Sequence, residues 1–341
     1  MKSTSKKNQP ADRMPTILIT GGHAGLGLAC AQQFASNWRV NLVLAGRSPD
    51  PMARVAQQIR SRYGVKVSTL TLDLSSLASV RKAAAKHCAM LESGQIDSLD
   101  GILLNAGAQF HGPISYSVDG YEETFAVNCL GSFLLVNLLL DSVSDGGRIV
   151  FTASGTHDPE TVDGKMVGAA AEPDANALAN EGKHGIKPLS GGRRYSTSKL
   201  CTILYAYELD RRLRRARSSI ASIAFDPGLI PETGLARTAP KFVQWMICTS
   251  LMKWLLKRLG VTMGSLPFSG SCLTRLAVDP SFVNGSGKYF QSKNGALIEV
   301  RSSKTSYDQN RAEKLWKDSA QLVYLQANEE PATLRHLCAA D

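Results

Sequence analysis

Tyr195 and Lys199 are the residues in this sequence best suited to proton transfer, because they are four positions apart. On a helix, that spacing places both side chains on one face, about one turn from each other. A free tyrosine has a pKa of about 10, which is too high for acid–base work near neutral pH. A neighbouring ammonium group favours the phenolate and lowers that pKa. The pair therefore predicts a tyrosine that exchanges a proton with a substrate oxygen.

A glycine-rich turn near the N-terminus has the pattern of a phosphate-binding loop. The stretch TILITGGHAGLGLA places Gly21, Gly25 and Gly27 directly after an apolar strand candidate and at the opening of a helix candidate. Glycine allows a sharp turn and a close approach of the backbone to a pyrophosphate, and the helix N-terminus offers free N–H groups to the anion. Together with the flanking Thr20 and Leu26, this turn predicts a dinucleotide site.

The end of the second predicted strand indicates which dinucleotide binds. NAD enzymes with this type of turn commonly carry an acidic residue there, which bonds the ribose hydroxyls. This chain reads LVLAGRSPD, with Arg47 and Ser48 at that place. An arginine pairs with a 2′-phosphate, whereas a carboxylate repels it. The sequence therefore predicts NADP(H), and the alternative left open is that Arg47 is merely exposed and that Asp50 approaches the ribose.

The elements that must position these residues follow an alternating pattern. Short strand candidates with consecutive apolar residues lie at Thr16–Thr20, Val40–Ala45, Val65–Thr71, Gly101–Leu104, Arg148–Thr152 and Ile220–Phe225. Helical stretches lie between them near 25–37, 51–63, 76–92, 120–142 and 195–216. Such alternation is typical of right-handed βαβ units. The predicted fold class is α/β, a doubly wound Rossmann-like parallel sheet in a single domain.

The predicted domain spans residues 15–325, between a disordered tail at 1–14 and a C-terminal tail at 326–341. Residues 155–193 are predicted to be an irregular insertion, and residues 229–262 a helical region that covers the substrate. Within that region, residues 241–259 form a strongly apolar helix candidate that includes Trp245 and Trp254. Three interpretations of this helix stay open: a substrate lid, an ordinary packed helix or homodimer surface, and a peripheral membrane contact.

Composition limits the class of protein. The formal net charge is +10, but much of the basic excess lies in the N-terminal tail and at the end of one helix, and no nucleic-acid-binding motif accompanies it. Seven scattered cysteines without a CxxC pair argue for reduced thiols, a cytoplasmic setting and no zinc site. The N-terminus has no apolar core of a secretory signal, and no run of 18 apolar residues predicts a membrane span.

The glycine spacing GxxxGxG with Thr20 resembles the short-chain dehydrogenase/reductase family. Further motifs of that family follow in the same order over roughly residues 15–325. They are an aspartate after the third strand, an NAG turn after the fourth, an asparagine within the following helix, a serine at the end of the fifth strand, YxxxK, and a PG pair with a later threonine. In this chain these are Asp73 with Leu74, then Asn105, Ala106 and Gly107, then Asn128, Ser154, Tyr195 with Lys199, and Pro227, Gly228 and Thr233.

The resemblance implies a role for each matching residue. Asp73 would contact the adenine side of the cofactor, and Lys199 would reach the nicotinamide ribose. Asn128 would fix a water that connects Lys199 to solvent. Ser154 would hydrogen-bond the substrate carbonyl and the oxygen of Tyr195, whose phenolate the positive nicotinamide of the oxidised cofactor also favours. The nicotinamide would supply hydride, while the protein supplies position and electrostatics.

The stretches SKLC, DPGLIPETGLAR and SGKYF are similar to the retinol dehydrogenase and protochlorophyllide reductase-like branch, which acts on large apolar substrates. We therefore expect an oxidoreductase for the carbonyl/alcohol pair of a bulky apolar compound. One alternative is NADPH-dependent reduction of an activated C=C bond, although Leu229 stands where protochlorophyllide reductases typically carry cysteine. Another is a non-catalytic NADP(H)-sensing protein, which would not need Asn128, Ser154, Tyr195 and Lys199 together. His157 and Asp158 are predicted either to line the pocket or to form a turn.

Overall fold

A single eight-stranded sheet organises the molecule in the computed structural model, which describes residues 13–110, 112–185, 187–233 and 249–335. The strand order is β3-β2-β1-β4-β5-β6-β7-β8; β1 to β7 pair in parallel, and β8 runs antiparallel to β7. The strands are β1 Thr16–Thr20, β2 Asn41–Gly46, β3 Val67–Thr71, β4 Leu99–Leu104, β5 Val143–Thr152, β6 Ala221–Asp226, β7 Tyr289–Lys293 and β8 Ala296–Glu299. The order reverses at β1 and β4, where doubly wound folds bind their ligands.

Helices cover both faces of this sheet. Among the described residues they are α1 Gly25–Gln33, α2 Pro49–Tyr63, α3 Leu77–Glu92, α4 Glu123–Ser142, α5 Val162–Val167, α6 Ala175–Ala179, α7 Gly191–Arg215, α8 Ser250–Arg258, α9 Leu266–Val278, α10 Gln309–Leu322 and α11 Ala332–Arg335. One core cluster joins the sheet to α3, α4, α7 and α10, and the other joins it to α1, α2 and α9.

The central strands are apolar throughout because both of their faces are covered. In β1, Ile17 and Ile19 belong to one core cluster and Leu18 to the other, and all three are fully buried. Successive side chains of a strand point to opposite faces. A strand with helices on each side must therefore be apolar at every position, which is the pattern that the sequence shows.

Helix α4 has the length and apolarity of a bilayer-spanning helix, the only one among the described residues that does. Within its apolar window, 83% of the residues are buried inside the protein. A helix packed into the core of a domain meets the same criterion of length and composition, so this feature is weak support for a membrane span.

The predicted α/β architecture and all six predicted strands are confirmed, with ends that shift by a few residues. Strands β7 and β8 were not predicted, because they are short and carry polar residues at the edge of the sheet. Their turn does have a sequence signal. Asn294 and Gly295 both have positive φ, 52° and 77°, which is the backbone of the Asn-Gly hairpin turn.

The insertion at 155–193 is more ordered than predicted, since it contains a 3-10 turn at Gly155–His157 followed by α5 and α6. The segments predicted as tails also contact the domain. Arg13 forms an ion pair with Asp100 at 2.6 Å, and Glu329 pairs with Arg81 at 2.6 Å. Of the apolar helix predicted at 241–259, residues 241–248 lie outside the described residues, and α8 forms the rest.

Candidate active site

The glycine turn between β1 and α1 has the shape that a pyrophosphate requires. Gly21 and Gly25 have positive φ, 69° and 52°, which favours glycine. A methyl group on Gly27 would lie 2.4 Å from the carbonyl oxygen of Gly21, so only glycine allows α1 to pack this closely on the turn. Helix α1 begins at Gly25, its N-cap residue Ala24 supplies no side-chain cap, and its first N–H groups remain available to an anion. This turn therefore fits the pyrophosphate of a dinucleotide.

Thr20 ties the glycine turn to the segment that follows β4. Its Oγ1 accepts hydrogen bonds from the backbone N–H groups of Asn105 and Ala106 at 3.0 and 2.9 Å. In return, Asn105 Nδ2 donates to the carbonyl oxygen of Thr20 at 3.0 Å. These bonds hold the ends of the two neighbouring strands in register at the point where the sheet order reverses.

Asn128 fixes the loop after β4 against the helix that carries the tyrosine and the lysine. It lies on a π-helical turn of α4, and its Oδ1 accepts from Ala108 N–H at 2.8 Å. Its Nδ2 donates to the carbonyl oxygen of Ala108 and to Ser198 Oγ, both at 2.9 Å. A methyl group on Gly107 would lie 3.3 Å from Asn128 Oδ1 and 3.4 Å from Lys199 Nζ, so glycine is the residue that leaves these groups undisturbed.

Ser154, Tyr195 and Lys199 come together at the C-terminal end of β5. The hydroxyl of Ser154 lies close enough to that of Tyr195 to lower its pKa. Lys199 Nζ lies 5.6 Å from the centre of the Tyr195 ring and donates to the carbonyl oxygen of Thr152 at 2.8 Å. The sequence prediction that these side chains converge is thus met by the geometry, although β5 and α7 are separated by the whole insertion.

The predicted lowering of the Tyr195 pKa is wrong for the chain by itself. Burial raises the pKa of Tyr195 well above its ordinary value, the Ser154 hydrogen bond lowers it by less, and the charge of Asp226 raises it further. Burial also lowers the pKa of Lys199 to about 8, against a smaller opposing effect of Cys129 and Asp226. The prediction failed because loss of water around Tyr195 has the largest effect on its pKa and disfavours the phenolate. The phenol of Tyr195 is therefore neutral in the chain by itself.

A cavity of about 410 Å³ runs from the glycine turn to this serine, tyrosine and lysine. It is lined by all the predicted site residues except Gly27 and Asn128, which lie behind its wall. The predicted residues that line it are Thr20, Gly21, Gly25, Leu26, Arg47, Asp73, Leu74, Asn105, Ala106, Gly107, Ser154, Tyr195, Lys199, Pro227, Gly228 and Thr233.

The end of the cavity beyond the glycine turn is basic. Arg47, exposed at the end of β2, lines it together with His23 and Ser48. Burial lowers the pKa of His23, and the nearby charge of Arg47 lowers it further. Asp73 also lines the cavity, and its Oδ1 accepts hydrogen bonds from Ser75 N–H and Oγ at 3.0 and 2.7 Å.

Two aspartates on the wall near Tyr195 were not found from the sequence. Asp226 ends β6 directly before Pro227, and Asp163 lies in the first turn of α5; both are buried and line the cavity. The signal for Asp226 was an acid at the end of an otherwise apolar strand. Asp163 had no signal, because its position depends on how the insertion folds.

His157, which the sequence placed either in the pocket or in a turn, belongs to a turn behind the cavity. It is buried, its Nδ1 donates to the carbonyl oxygen of Ser154 at 2.7 Å, and its Nε2 accepts from Ser303 N–H at 3.0 Å. Burial lowers the pKa of His157. It therefore links the end of β5 to the C-terminal part of the chain as a neutral group.

Comparison with known proteins assigns this arrangement to a family. The profile of the short chain dehydrogenase family matches residues 15–169. Retinol dehydrogenase 13 of Homo sapiens is 32% identical over 317 residues, covering 92% of this chain and 85% of its own. Protochlorophyllide reductase A, chloroplastic, of Oryza sativa subsp. japonica is 29% identical over 331 residues, covering 92% of this chain and 81% of its own.

Solved structures share the fold. An uncharacterized protein from Mycobacterium Paratuberculosis superimposes with a TM-score of 0.64 at 26% identity, covering 93% of this chain and 96% of its own. L-Sorbose reductase from Gluconobacter frateurii, solved with NADPH and L-sorbose, has a TM-score of 0.60 at 16% identity, covering 84% of this chain and 98% of its own. At that identity, the second likeness concerns the fold alone.

Proposed function

Because this chain belongs to the short-chain dehydrogenase family of nicotinamide-dependent oxidoreductases, in the branch of the retinol dehydrogenases and protochlorophyllide reductases, we propose that it is an NADP(H)-dependent enzyme for the carbonyl/alcohol pair of a bulky apolar compound. The observation that carries the proposal is the meeting of Ser154, Tyr195 and Lys199 at one end of a cavity whose other part is the glycine turn.

The choice of NADP(H) depends on charge at the far end of the cavity. Arg47 lies where an acidic residue would bond a free ribose, and its guanidinium can form paired hydrogen bonds with a phosphate. His23, whose Nδ1 is buried without a hydrogen-bond partner among the described residues, lies on the same wall. Asp50 is the one acid near this strand end in the sequence, three residues further on at the start of α2.

The residues of the chain supply binding, orientation and the proton. When bound, the nicotinamide supplies the hydride. The phenol of Tyr195, kept neutral by its raised pKa, donates its proton to the substrate oxygen. Ser154 holds that oxygen beside the phenol by a hydrogen bond. Lys199, fixed on the carbonyl oxygen of Thr152, keeps a positive charge next to the phenol and favours the phenolate that remains.

An apolar substrate is supported by the side of the cavity opposite the glycine turn. Phe110, Met166, Val167, Leu229 and Ile230 line it there. Pockets lined by apolar side chains with a few polar groups are typical of sites for small organic molecules. These five side chains offer apolar surface to the body of such a substrate.

The experiment is an assay of NADPH oxidation with the full chain against aromatic ketones, retinoids, steroids and enones, with NADH in parallel. We expect turnover with at least one bulky carbonyl compound, and faster with NADPH than with NADH. Binding of NADPH without turnover of any compound in the panel would contradict catalysis and favour the NADP(H)-sensing alternative.

A second candidate function, reduction of an activated C=C bond, is favoured by the similarity to protochlorophyllide reductase A. The same Tyr195 proton would then go to carbon. Leu229, which lines the cavity after the PG pair, argues against that activity because it offers no proton. Analysis of the product from an enone separates the two functions, since a saturated ketone indicates C=C reduction and an allylic alcohol indicates carbonyl reduction.

A further inference from the structure

Two carboxylates lie close together on the cavity wall, outside the set of residues that carries the proposed chemistry. Asp163 and Asp226 are 8% and 1% exposed, and both line the cavity. They flank Gly155, the residue after Ser154. A methyl group on Gly155 would lie 3.1 Å from Asp226 Oδ2 and 3.3 Å from Asp163 Oδ2. Two acids thus share a small, nearly dry space beside the reacting end of the cavity.

The hydrogen bonds of the two carboxylates differ. Asp226 accepts from Gly228 N–H at 2.8 Å and from Gln291 Nε2 at 2.7 Å, which are ordinary lengths. The contacts that Asp163 receives from Thr262 N–H are longer, 3.3 and 3.4 Å. Burial, and then the charge of Asp226, raise the pKa of Asp163. A carboxylate that is buried with only long hydrogen bonds is costly in free energy. Asp163 can therefore accept a further hydrogen bond from a ligand.

Thr156 is a second and independent polar group on the same wall. It is 7% exposed, it lines the cavity, and its Oγ1 has no hydrogen-bond partner among the described residues. It belongs to the 3-10 turn Gly155–His157 that follows Ser154. Buried hydroxyls are normally hydrogen-bonded, so one left without a partner at a cavity calls for a bound group.

The neighbouring part of the wall is apolar. Met166 and Val167 follow Asp163 on α5 and line the cavity beside it. Polar groups and apolar side chains thus meet on this part of the wall, as expected where a mostly apolar molecule is held in one orientation. A metal ion is a poor occupant, because no group of three or more His, Cys, Asp or Glu residues suited to a metal occurs in the described part of the chain.

We infer that Asp163 and Thr156 bind a hydrogen-bond-donating group, a hydroxyl or a protonated amine, on an otherwise apolar substrate. Asp163 accepts from this donor, and Thr156 Oγ1 bonds its heteroatom. The inference rests on the proposed function for the reacting end of the substrate and adds a requirement on the rest of it. Both residues lie in the segment between Ser154 and Tyr195, so the specificity of the enzyme would be set by that segment.

The test uses three ketones that share one hydrocarbon frame and differ in a distal hydroxyl, amine or methyl ether. For each, kcat/KM and the dissociation constant from the enzyme–NADP⁺ complex are measured for the wild type, Asp163→Asn and Asp163→Ala. We expect the wild type to favour the donor-bearing compound by about tenfold or more over the methyl ether. Asp163→Ala should remove that preference. Asp163→Asn should remove it for the amine and keep part of it for the hydroxyl, because an amide oxygen still accepts.

Glu160→Gln is the matched control, because it removes one negative charge from the same segment at a side chain that is 71% exposed. It should leave the preference unchanged. Thr156→Val provides a second variant of nearly equal volume, in which no existing hydrogen bond of the hydroxyl is lost. We expect this substitution to weaken binding of the donor-bearing compound about threefold or more and to leave the melting temperature unchanged.

An equal loss on all three ketones in Asp163→Ala and Thr156→Val would overturn the inference, since it would indicate a structural role. A wild type that does not distinguish the three compounds would overturn it as well. Failure of the proposed function has a different signature. In that case no ketone is turned over, while the dissociation constants still show tighter binding of the donor-bearing compounds than of the methyl ether.

Discussion

Lys199 Nζ donates a hydrogen bond to the carbonyl oxygen of Thr152 at 2.8 Å, which joins helix α7 to the strand that ends two residues before Ser154. This bond is a direct link between α7, which carries Tyr195, and the strand that precedes Ser154.

Replacing Tyr195 with Phe is expected to lower the turnover rate by about 10²-fold or more, because the substitution removes the proposed proton donor. Affinity for NADPH should stay nearly unchanged, since the glycine turn is untouched. Steady-state kinetics and titration of NADPH measure the two effects. The control is Tyr207→Phe on the same helix, whose hydroxyl bonds Ser302 away from the cavity, and which should retain activity. Residual activity above about a tenth of wild type would exclude Tyr195 as the sole acid.

Replacing Arg47 with Asp is expected to weaken NADPH binding about tenfold or more. The difference between the affinities for NADPH and NADH should become smaller. The reason is that a charge-assisted contact contributes about 1.5–3 kcal/mol and the new carboxylate repels the 2′-phosphate. Dissociation constants for both cofactors measure this. Arg54→Asp, an equal change of charge on the exposed side of α2, is the control. A wild type that prefers NADH would refute the assignment whatever the variant does.

The pH dependence of reduction should reflect Lys199. Its pKa is lowered to about 8 in the free enzyme, so its ammonium is lost as pH rises through that value. Tyr195, with a raised pKa, keeps its proton over the same range. We expect kcat/KM for NADPH, which reports the free enzyme, to fall above about pH 8. In Lys199→Arg the guanidinium does not titrate, so any remaining activity should lack this fall. A flat wild-type profile up to about pH 10 would contradict the prediction.

His87, far from the site, should make the fold sensitive to acid. It is fully buried on α3 with both ring nitrogens unpartnered among the described residues, and burial lowers its pKa to about 4. The unfolded chain takes up a proton below pH 6.5 and the folded chain does not, so stability falls as pH falls from 6.5 towards 4. This group alone should cost about 2 kcal/mol of unfolding free energy between pH 7 and pH 5.

His87→Leu should remove that part of the pH dependence, which urea unfolding at the two pH values measures. The matched control is His184→Leu, at a residue whose side chain is exposed. An unchanged slope of stability with pH in His87→Leu would show that His87 finds a partner in the folded protein.

Helix α8 exposes apolar side chains, with Leu251, Trp254 and Leu255 at 75%, 56% and 41% exposure. None of its residues lines the cavity, so the described part of this helix gives no support to a lid. Trp254→Ser separates the three interpretations. A lid predicts a raised KM for a bulky substrate with folding kept, and a packed or dimer surface predicts a lower melting temperature or a smaller assembly. A membrane contact predicts loss of sedimentation with anionic liposomes at unchanged kinetics.

Sequence reasoning worked best where a property depends on neighbours along the chain. The glycine turn, the strand before it and the single helix face of Tyr195 and Lys199 each depend on spacings of a few residues. The convergence of Ser154 with Tyr195 could be anticipated only because the family motifs occur in order, since 40 residues lie between them. The hairpin of β7 and β8 had a local signal at Asn294 and Gly295 that was outweighed by its polar composition.

What the sequence determined by itself is the α/β architecture and the family, and it predicted the dinucleotide site and the residues of the proposed chemistry, because periodicity, turn chemistry and motif order act locally. The tertiary structure decided the rest. It brought Asp163 against Asp226 across Gly155, which no spacing along the chain foreshadows. It also reversed the predicted pKa shift of Tyr195, because the loss of water around a side chain depends on every element that packs over it.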